Sequence, residues 1–192
     1  MSETPIRSLV ISNPRLDESW FSEAELEAMH AHKLQKRRQE WMRARLAAKR
    51  LAIQLGLATE PRSVAVHRPF LTIYGVPTEW RVSLSHSGLC GAAAIDRLPV
   101  GIDIQAVREL SESAAHLFLR DDEIEAMQRC TLPNRILHFW CAKEAAWKAR
   151  SHELETLKQL PLTLLGQRED GLRFDAVNTA VLPGDLILGL TV

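Results

Sequence analysis

The hydrophobic pattern of this 192-residue chain changes period at Gly56, and that switch constrains the fold more than any other feature. Upstream, Ser22-Glu23-Ala24-Glu25 has the S-x-x-E form of a capping box, in which the serine and the glutamate satisfy backbone N–H groups at a helix start. A helical pattern then runs to about Leu55 and stops at Gly56; its length predicts a break near 31–33. Downstream the period is two. In 80–85, Trp80, Val82 and Leu84 share one face and Arg81, Ser83 and Ser85 the other, the pattern of a half-buried strand. Strands are also expected at 6–11, 63–67 and 90–95, whereas 68–79, with Pro69, Gly75 and Pro77, reads as a loop.

The order then repeats. A strand is expected at 100–104 and helices at 114–119, 121–130 and from Pro133 to Arg150. Strands follow at 162–167, 172–177 and 186–192, with a turn at Glu169-Asp170-Gly171. The expected fold is α+β: two similar halves, 1–97 and 98–192, packed as one pseudo-twofold unit, each with helices against a small antiparallel sheet. Roughly three strands follow the helices in each half.

Composition excludes several functions. Lys plus Arg and Asp plus Glu both total 24, so no whole-protein field exists to hold nucleic acid or an anionic membrane. No apolar run approaches the roughly 18 to 20 residues of a membrane span, and the N-terminus shows no secretory pattern. Cys90, Cys130 and Cys141 form no C-x-x-C pair, which fits reduced thiols in a cytoplasmic protein. Ser85 and His86 are neighbours on a strand and point to opposite faces, so they make no serine-hydrolase pair; G-x-S-x-G is absent as well.

Chemistry concentrates in a few segments. Asp103 lies between two isoleucines in a strand, on the face opposite to theirs. Trp140, Glu144 and Lys148 recur at i, i+4 and i+8, so they share a helix face; Lys143 lies beside Glu144. Aromatic neighbours imply partial burial, and a metal ion or a phosphate would compensate buried charges there. Ser83-Leu84-Ser85-His86-Ser87-Gly88 ends a strand with hydrogen-bonding groups suited to phosphate. Charge is segregated upstream: residues 17–27 hold five acids, and 33–50 hold eight bases with one acid, Glu40. Arg38, Arg45 and Lys49 lie within about 40° of one helix face, a candidate cradle for a polyanion.

Together these segments resemble the 4′-phosphopantetheinyl transferases, specifically the longer Sfp type. The signature of that family is G-[IV]-D, a gap of about forty residues, then [FW]-[ACST]-x-K-E-[AS]-x-x-x-K. Here Gly101-Ile102-Asp103 precedes Trp140-Cys141-Ala142-Lys143-Glu144-Ala145-Ala146-Trp147-Lys148. Ser85-His86-Ser87 is similar to the family's S-H-S element, and Phe118-Leu119 with Glu123 to its F-F…E segment.

The resemblance implies a holo-[acyl-carrier-protein] synthase-type enzyme. It moves the phosphopantetheine arm of coenzyme A onto a serine of an apo acyl or peptidyl carrier protein and releases adenosine 3′,5′-bisphosphate. It implies Mg²⁺ held by Asp103 and Glu144, with Glu144 also taking the serine proton. Lys143 and Lys148 would face the pyrophosphate. Arg45 or Lys49, with Ser85 and His86, would hold the 3′-phosphate side of coenzyme A, and Arg68-Pro69 is similar to a coenzyme A-touching [KR]-P, with His67 where a glycine is usual. The coenzyme A elements would thus lie in the first half and the metal and catalytic motifs in the second. The second acid common in the family is replaced by Gln105. A monomer is expected. Two other readings stay open: a metal-dependent phosphohydrolase acting on a nucleotide, and a non-catalytic module that binds coenzyme A or RNA.

Overall fold

In the computed structural model, residues 7–150 and 154–192 are described; Ile6, the start of the first expected strand, lies outside them. The chain divides into two compact units, Met1–Pro99 and Val100–Val192.

The first unit opens with β1 (Arg7–Ser12) and continues through α1 (Glu23–His30) and α2 (Gln35–Gln54). The capping box forms: Ser22 N–H donates to Glu25 Oε2 at 3.1 Å and Glu25 N–H to Ser22 Oγ at 3.3 Å. The expected helix break is present between α1 and α2, where Arg38 Nε donates to the His32 carbonyl at 2.8 Å. Four strands follow, β2 (Val64–His67), β3 (Phe70–Ile73), β4 (Val76–Ser87) and β5 (Cys90–Asp96). They fold back as a meander so that β5 pairs with β1, in the order β1-β5-β4-β3-β2, antiparallel throughout.

Here the expected loop at 68–79 is corrected. It contains β3 and the start of β4, joined by Tyr74 and Gly75 with φ of 50° and 77°. Positive φ at both central residues is the condition for a tight two-residue hairpin turn. The breaker residues thus mark turns between strands. The half-buried reading of 80–85 is also revised, because Ser83 and Ser85 are buried together with Val82 and Leu84.

The second unit has the same layout. β6 (Ile102–Ala106) precedes α3 (Glu112–Ala115), α4 (Asp121–Arg129) and α5 (Arg135–Ala149). β7 (Leu164–Gln167), β8 (Leu172–Phe174), β9 (Val177–Leu182) and β10 (Leu186–Thr191) then return the chain to β6. The order is β6-β10-β9-β8-β7, again antiparallel. The expected strand at 172–177 is in fact the whole of β8 and the first residue of β9, broken at Asp175-Ala176, where Asp175 N–H donates to the Thr163 carbonyl at 3.0 Å. Each unit is therefore α+β with a five-stranded sheet, one strand more than the alternation alone suggests.

Small residues bring each long helix onto its sheet. On α2, Ala44, Ala47, Ala48 and Ala52 are buried with Leu46 and Leu51. On α5, Ala142, Ala145 and Phe139 are fully buried, and the Phe139 ring meets Phe174 edge-on at 5.0 Å. No helix among the described residues is long and apolar enough to cross a membrane.

One buried polar contact gives the fold a pH dependence. His138 on α5 has no solvent exposure, and its Nδ1 lies 2.9 Å from Thr179 Oγ1 on β9. Burial pulls its pKa down from 6.5 to about 4. The unfolded chain therefore binds a proton that the folded chain refuses, and stability rises with pH across that interval. Stability is predicted to be complete above pH 6.5 and to fall by about 3 kcal/mol as pH drops to 4, from 1.36 kcal/mol per pKa unit. Urea denaturation across this range measures it, and His138→Gln, which does not titrate, is expected to flatten that part of the slope.

Candidate active site

In the second unit, Asp103 on β6 and Glu144 and Lys148 on α5 converge. The Lys148 ammonium donates to Asp103 Oδ1 at 2.7 Å and to the Ile102 carbonyl at 3.1 Å. It lies 4.0 Å from Glu144 Oε2. Gln105, next but one on β6, donates its amide to the other Asp103 oxygen at 3.1 Å. The Asp103 side chain is 4% exposed, and those of Lys148 and Glu144 are 17% and 20% exposed. Two carboxylates thus share one ammonium at a partly covered surface. Burial raises the Glu144 pKa; Lys148 opposes that rise and Asp103 adds to it.

Glycine makes this meeting possible. A Cβ on Gly101 would stand 1.8 Å from the Ala145 carbonyl oxygen, and one on Gly189, which pairs with Asp103 across the ladder, 2.4 Å from the Cys141 carbonyl oxygen. Helix backbone therefore rests directly on strand backbone, and a side chain as near the helix as Asp103 comes within reach of Lys148. The glycine of Gly101-Ile102-Asp103 is a packing requirement of the acidic cluster.

Trp140 is on the expected face but points to the interior, packed edge-on against Phe118 at 4.9 Å. Lys143 does not join the cluster. Its side chain is buried, 2.6 Å from Glu123 Oε1, and it donates to the carbonyls of Leu157 and Leu160. The expectation that Lys143 faces a pyrophosphate is revised on this placement, because carboxylate and carbonyls occupy its ammonium. Cys141 is buried, its thiol donates to the Ile187 carbonyl at 3.5 Å, and burial pushes its pKa well above the usual thiol range, aided by Asp103. Such a thiol is no nucleophile.

The first unit separates the basic face of α2. Arg38 is occupied at the end of α1, where its guanidinium donates to the His32 carbonyl. Lys49 is fully buried, 2.9 Å from Glu25 Oε2, with bonds to the carbonyls of Pro61 and Val64. Its expected contact with a phosphate is revised for the same reason as that of Lys143. Arg45 remains half-buried, its guanidinium 3.7 Å over the Trp41 ring. Its pKa falls to about 10 through burial and then repulsion from Arg68, partly offset by Glu25. An anion beside the two guanidinium groups would relieve that repulsion. Ser85 on β4 is buried, and His86, half-buried, pairs with Gly91 on the sheet face that α2 covers. Trp41 and Glu25, which set the surroundings of Arg45, were not identified as site residues in the sequence, although the capping box already marked Glu25.

The decisive comparison concerns the second unit. Residues 99–174 match the family model of the 4′-phosphopantetheinyl transferase superfamily. The match supports that superfamily and spans Gly101-Ile102-Asp103, Glu123 and the whole Trp140–Lys148 segment, in less than half of the chain. Comparison with curated proteins gave no match. The matched span holds the contacts that bring the residues of the motif together: Phe118 packs on Trp140, Glu123 pairs with Lys143, and Lys148 pairs with Asp103. Among the described residues no group of three or more His, Cys, Asp or Glu assembles. The pair of carboxylates still fits Mg²⁺, which takes one or two carboxylates and fills its shell with phosphate and water.

Replacing Gly101 by alanine is predicted to push α5 off β6 and destabilise the protein by about 2–3 kcal/mol, the upper part of the range for overpacking, because rigid backbone is the obstacle. Chemical denaturation measures it. Unchanged stability would mean that helix and strand backbones are not in contact there.

Proposed function

We propose that the chain transfers the 4′-phosphopantetheine arm of coenzyme A to a serine of an apo acyl or peptidyl carrier protein, as an Sfp-type enzyme. The observation that carries this reading is the Asp103–Lys148–Glu144 cluster, framed by Gly101 and Trp140 inside the matched span. The carrier serine oxygen attacks the phosphorus that bears the pantetheine arm. The bond from that phosphorus to the bridging oxygen breaks, and adenosine 3′,5′-bisphosphate leaves. Glu144 accepts the serine proton. Lys148, already between the two carboxylates, offers its charge to the pyrophosphate oxygens as negative charge builds on them. Mg²⁺ held by Asp103 and Glu144 would neutralise pyrophosphate charge. Gln105 braces Asp103 through its amide.

Arg45 and Arg68 supply the cationic place for the 3′-phosphate, with His86, on the sheet face that α2 covers, as a further contact; Ser85 lies on the opposite face of β4 and would meet another part of coenzyme A. Stacking on Trp41 holds the Arg45 guanidinium in one orientation and lowers the entropy cost of binding. A phosphohydrolase would use the same acids but would leave a carrier protein unmodified.

Incubation with coenzyme A, Mg²⁺ and a panel of apo carrier proteins tests the reading by mass spectrometry; a phosphopantetheine mass gain is expected on at least one carrier. Asp103→Ala and Glu144→Ala are each predicted to lower turnover by about a hundredfold or more, whereas Cys141→Ser keeps activity. Arg45→Ala is predicted to raise KM for coenzyme A by about tenfold or more, the worth of a charge-assisted hydrogen bond, with little change in kcat. Dephospho-coenzyme A, which lacks the 3′-phosphate, is expected to be indifferent to that substitution. Full activity of Asp103→Ala at saturating Mg²⁺ would remove the acid cluster from the mechanism.

A further inference from the structure

Lys49 and Lys143 are both fully buried, and the two units hold them in the same way. Lys49 on α2 meets Glu25 at 2.9 Å and donates to the Pro61 carbonyl at 3.1 Å and to that of Val64. Lys143 on α5 meets Glu123 at 2.6 Å and donates to the Leu157 carbonyl at 3.4 Å and to that of Leu160. Each glutamate is the third residue of its helix and returns its carboxylate to the backbone N–H of the capping residue, Ser22 or Arg120. Each pair of carbonyls is three residues apart and brackets a 3₁₀ turn, Pro61–Ser63 or Leu157–Gln159, on the way to the second strand of the sheet. An ammonium has three N–H donors. One carboxylate and two carbonyls occupy all three, so none is left for a phosphate.

We propose that these are two copies of one latch and that Lys49 and Lys143 are positioning residues for the ligand-facing groups. Lys49 sits one helical turn beyond Arg45 and ties α2 to Val64, where β2 begins; that strand runs directly into Arg68. It therefore sets the spacing of the Arg45–Arg68 pair. Lys143 precedes Glu144 and ties α5 to α4 and to the 157–160 turn. It fixes the rotation of α5 and so the face that presents Glu144 and Lys148 to Asp103. The assignment of what is positioned rests on the proposed transfer reaction; the latch geometry does not.

The test uses Lys49→Met, Glu25→Gln, Lys143→Met, Glu123→Gln and the two doubles within pairs, all in the full chain, with Tm, kcat and KM for coenzyme A measured. Both variants of the first pair are expected to raise KM by about tenfold with kcat within about twofold, and both variants of the second to lower kcat by about tenfold with KM within about twofold. Loss in a Lys→Met variant with full function in its Glu→Gln partner would overturn the proposal in favour of direct phosphate contact. Equal falls in kcat for both pairs, with KM unchanged, would reduce the latches to general scaffolding and overturn it too. If the methionine variants do not fold, the glutamine variants decide alone, because the amide keeps the acceptor. Failure of the transferase reading shows differently, as a wild type that modifies no carrier. The latches are then judged by Tm: each single change lowers it by about 10 °C, and each double falls no further than its worse single. Additive losses within a pair would overturn the proposal.

Discussion

The acidic cluster depends on how near α5 comes to β6. Gly101 and Gly189 remove the two Cβ atoms that would otherwise meet the carbonyls of Ala145 and Cys141, and the alanines of α5 keep its own surface low. Only at that separation does a lysine from the helix bond a strand carbonyl and a strand carboxylate at once. The first unit uses the same device, with Gly91 on β5 against the Arg43 carbonyl of α2. Close backbone approach replaces the side-chain layer that normally separates helix from sheet, and it leaves polar groups at the end of the contact facing one another across a short gap.

Such packing would trap buried charge at high cost if the charges were not paired. Removing one partner of a buried ion pair costs about 3–5 kcal/mol, whereas the intact pair adds little net stability. The two latches follow that logic. Burial depresses the pKa of Lys49 and of Lys143, and Glu25 and Glu123 oppose the depression, with backbone carbonyls completing the hydrogen bonds. What the pairs supply is register: each fixes one rotation of a long helix against its neighbours, which an apolar contact alone tolerates less strictly. Lys148 has a different balance, because its ammonium is partly exposed and lies between two acids.

Much of this was legible in the sequence because it is written in local terms. The capping box at Ser22, the stop at Gly56 and the period of 80–85 are short-range signals, and each corresponds to an element. The Asp103–Glu144–Lys148 cluster was legible because its motif compresses a long-range contact into fixed spacing. β3 and β9 were not, for a common reason. Punctuation residues between closely spaced strands read as something else: Pro69, Gly75 and Pro77 read as one loop although Tyr74-Gly75 is only a two-residue turn, and the expected strand at 172–177 runs across the break at Asp175-Ala176 that separates β8 from β9. The burial of Ser83 and Ser85 was hidden too, since polarity in a strand reads as exposure unless the covering surface is known.

The two lysines of Lys143-Glu144-Ala145-Ala146-Trp147-Lys148 show where spacing suffices and where it fails. Residues four apart on a helix differ by about 40° and residues five apart by about 140°. Glu144 and Lys148 therefore share a face, and Lys143 is turned well away from Lys148, toward α4. Helix geometry alone contained that division, so assigning both lysines to one phosphate group conflicted with it from the start. Lys49 is the harder case. It stands four residues after Arg45, about 40° around α2, and nothing in the spacing separates their roles. Depth separates them. Arg45 ends over the Trp41 ring with its guanidinium partly in water, whereas Lys49, one turn farther along, is closed over by Glu25, Phe21 and the 61–64 turn. A basic helical face is thus not one surface: the same stripe leaves a guanidinium partly open at one turn and braces the protein's own frame at the next, and what distinguishes the turns is which carbonyls and carboxylates the rest of the fold brings down on them.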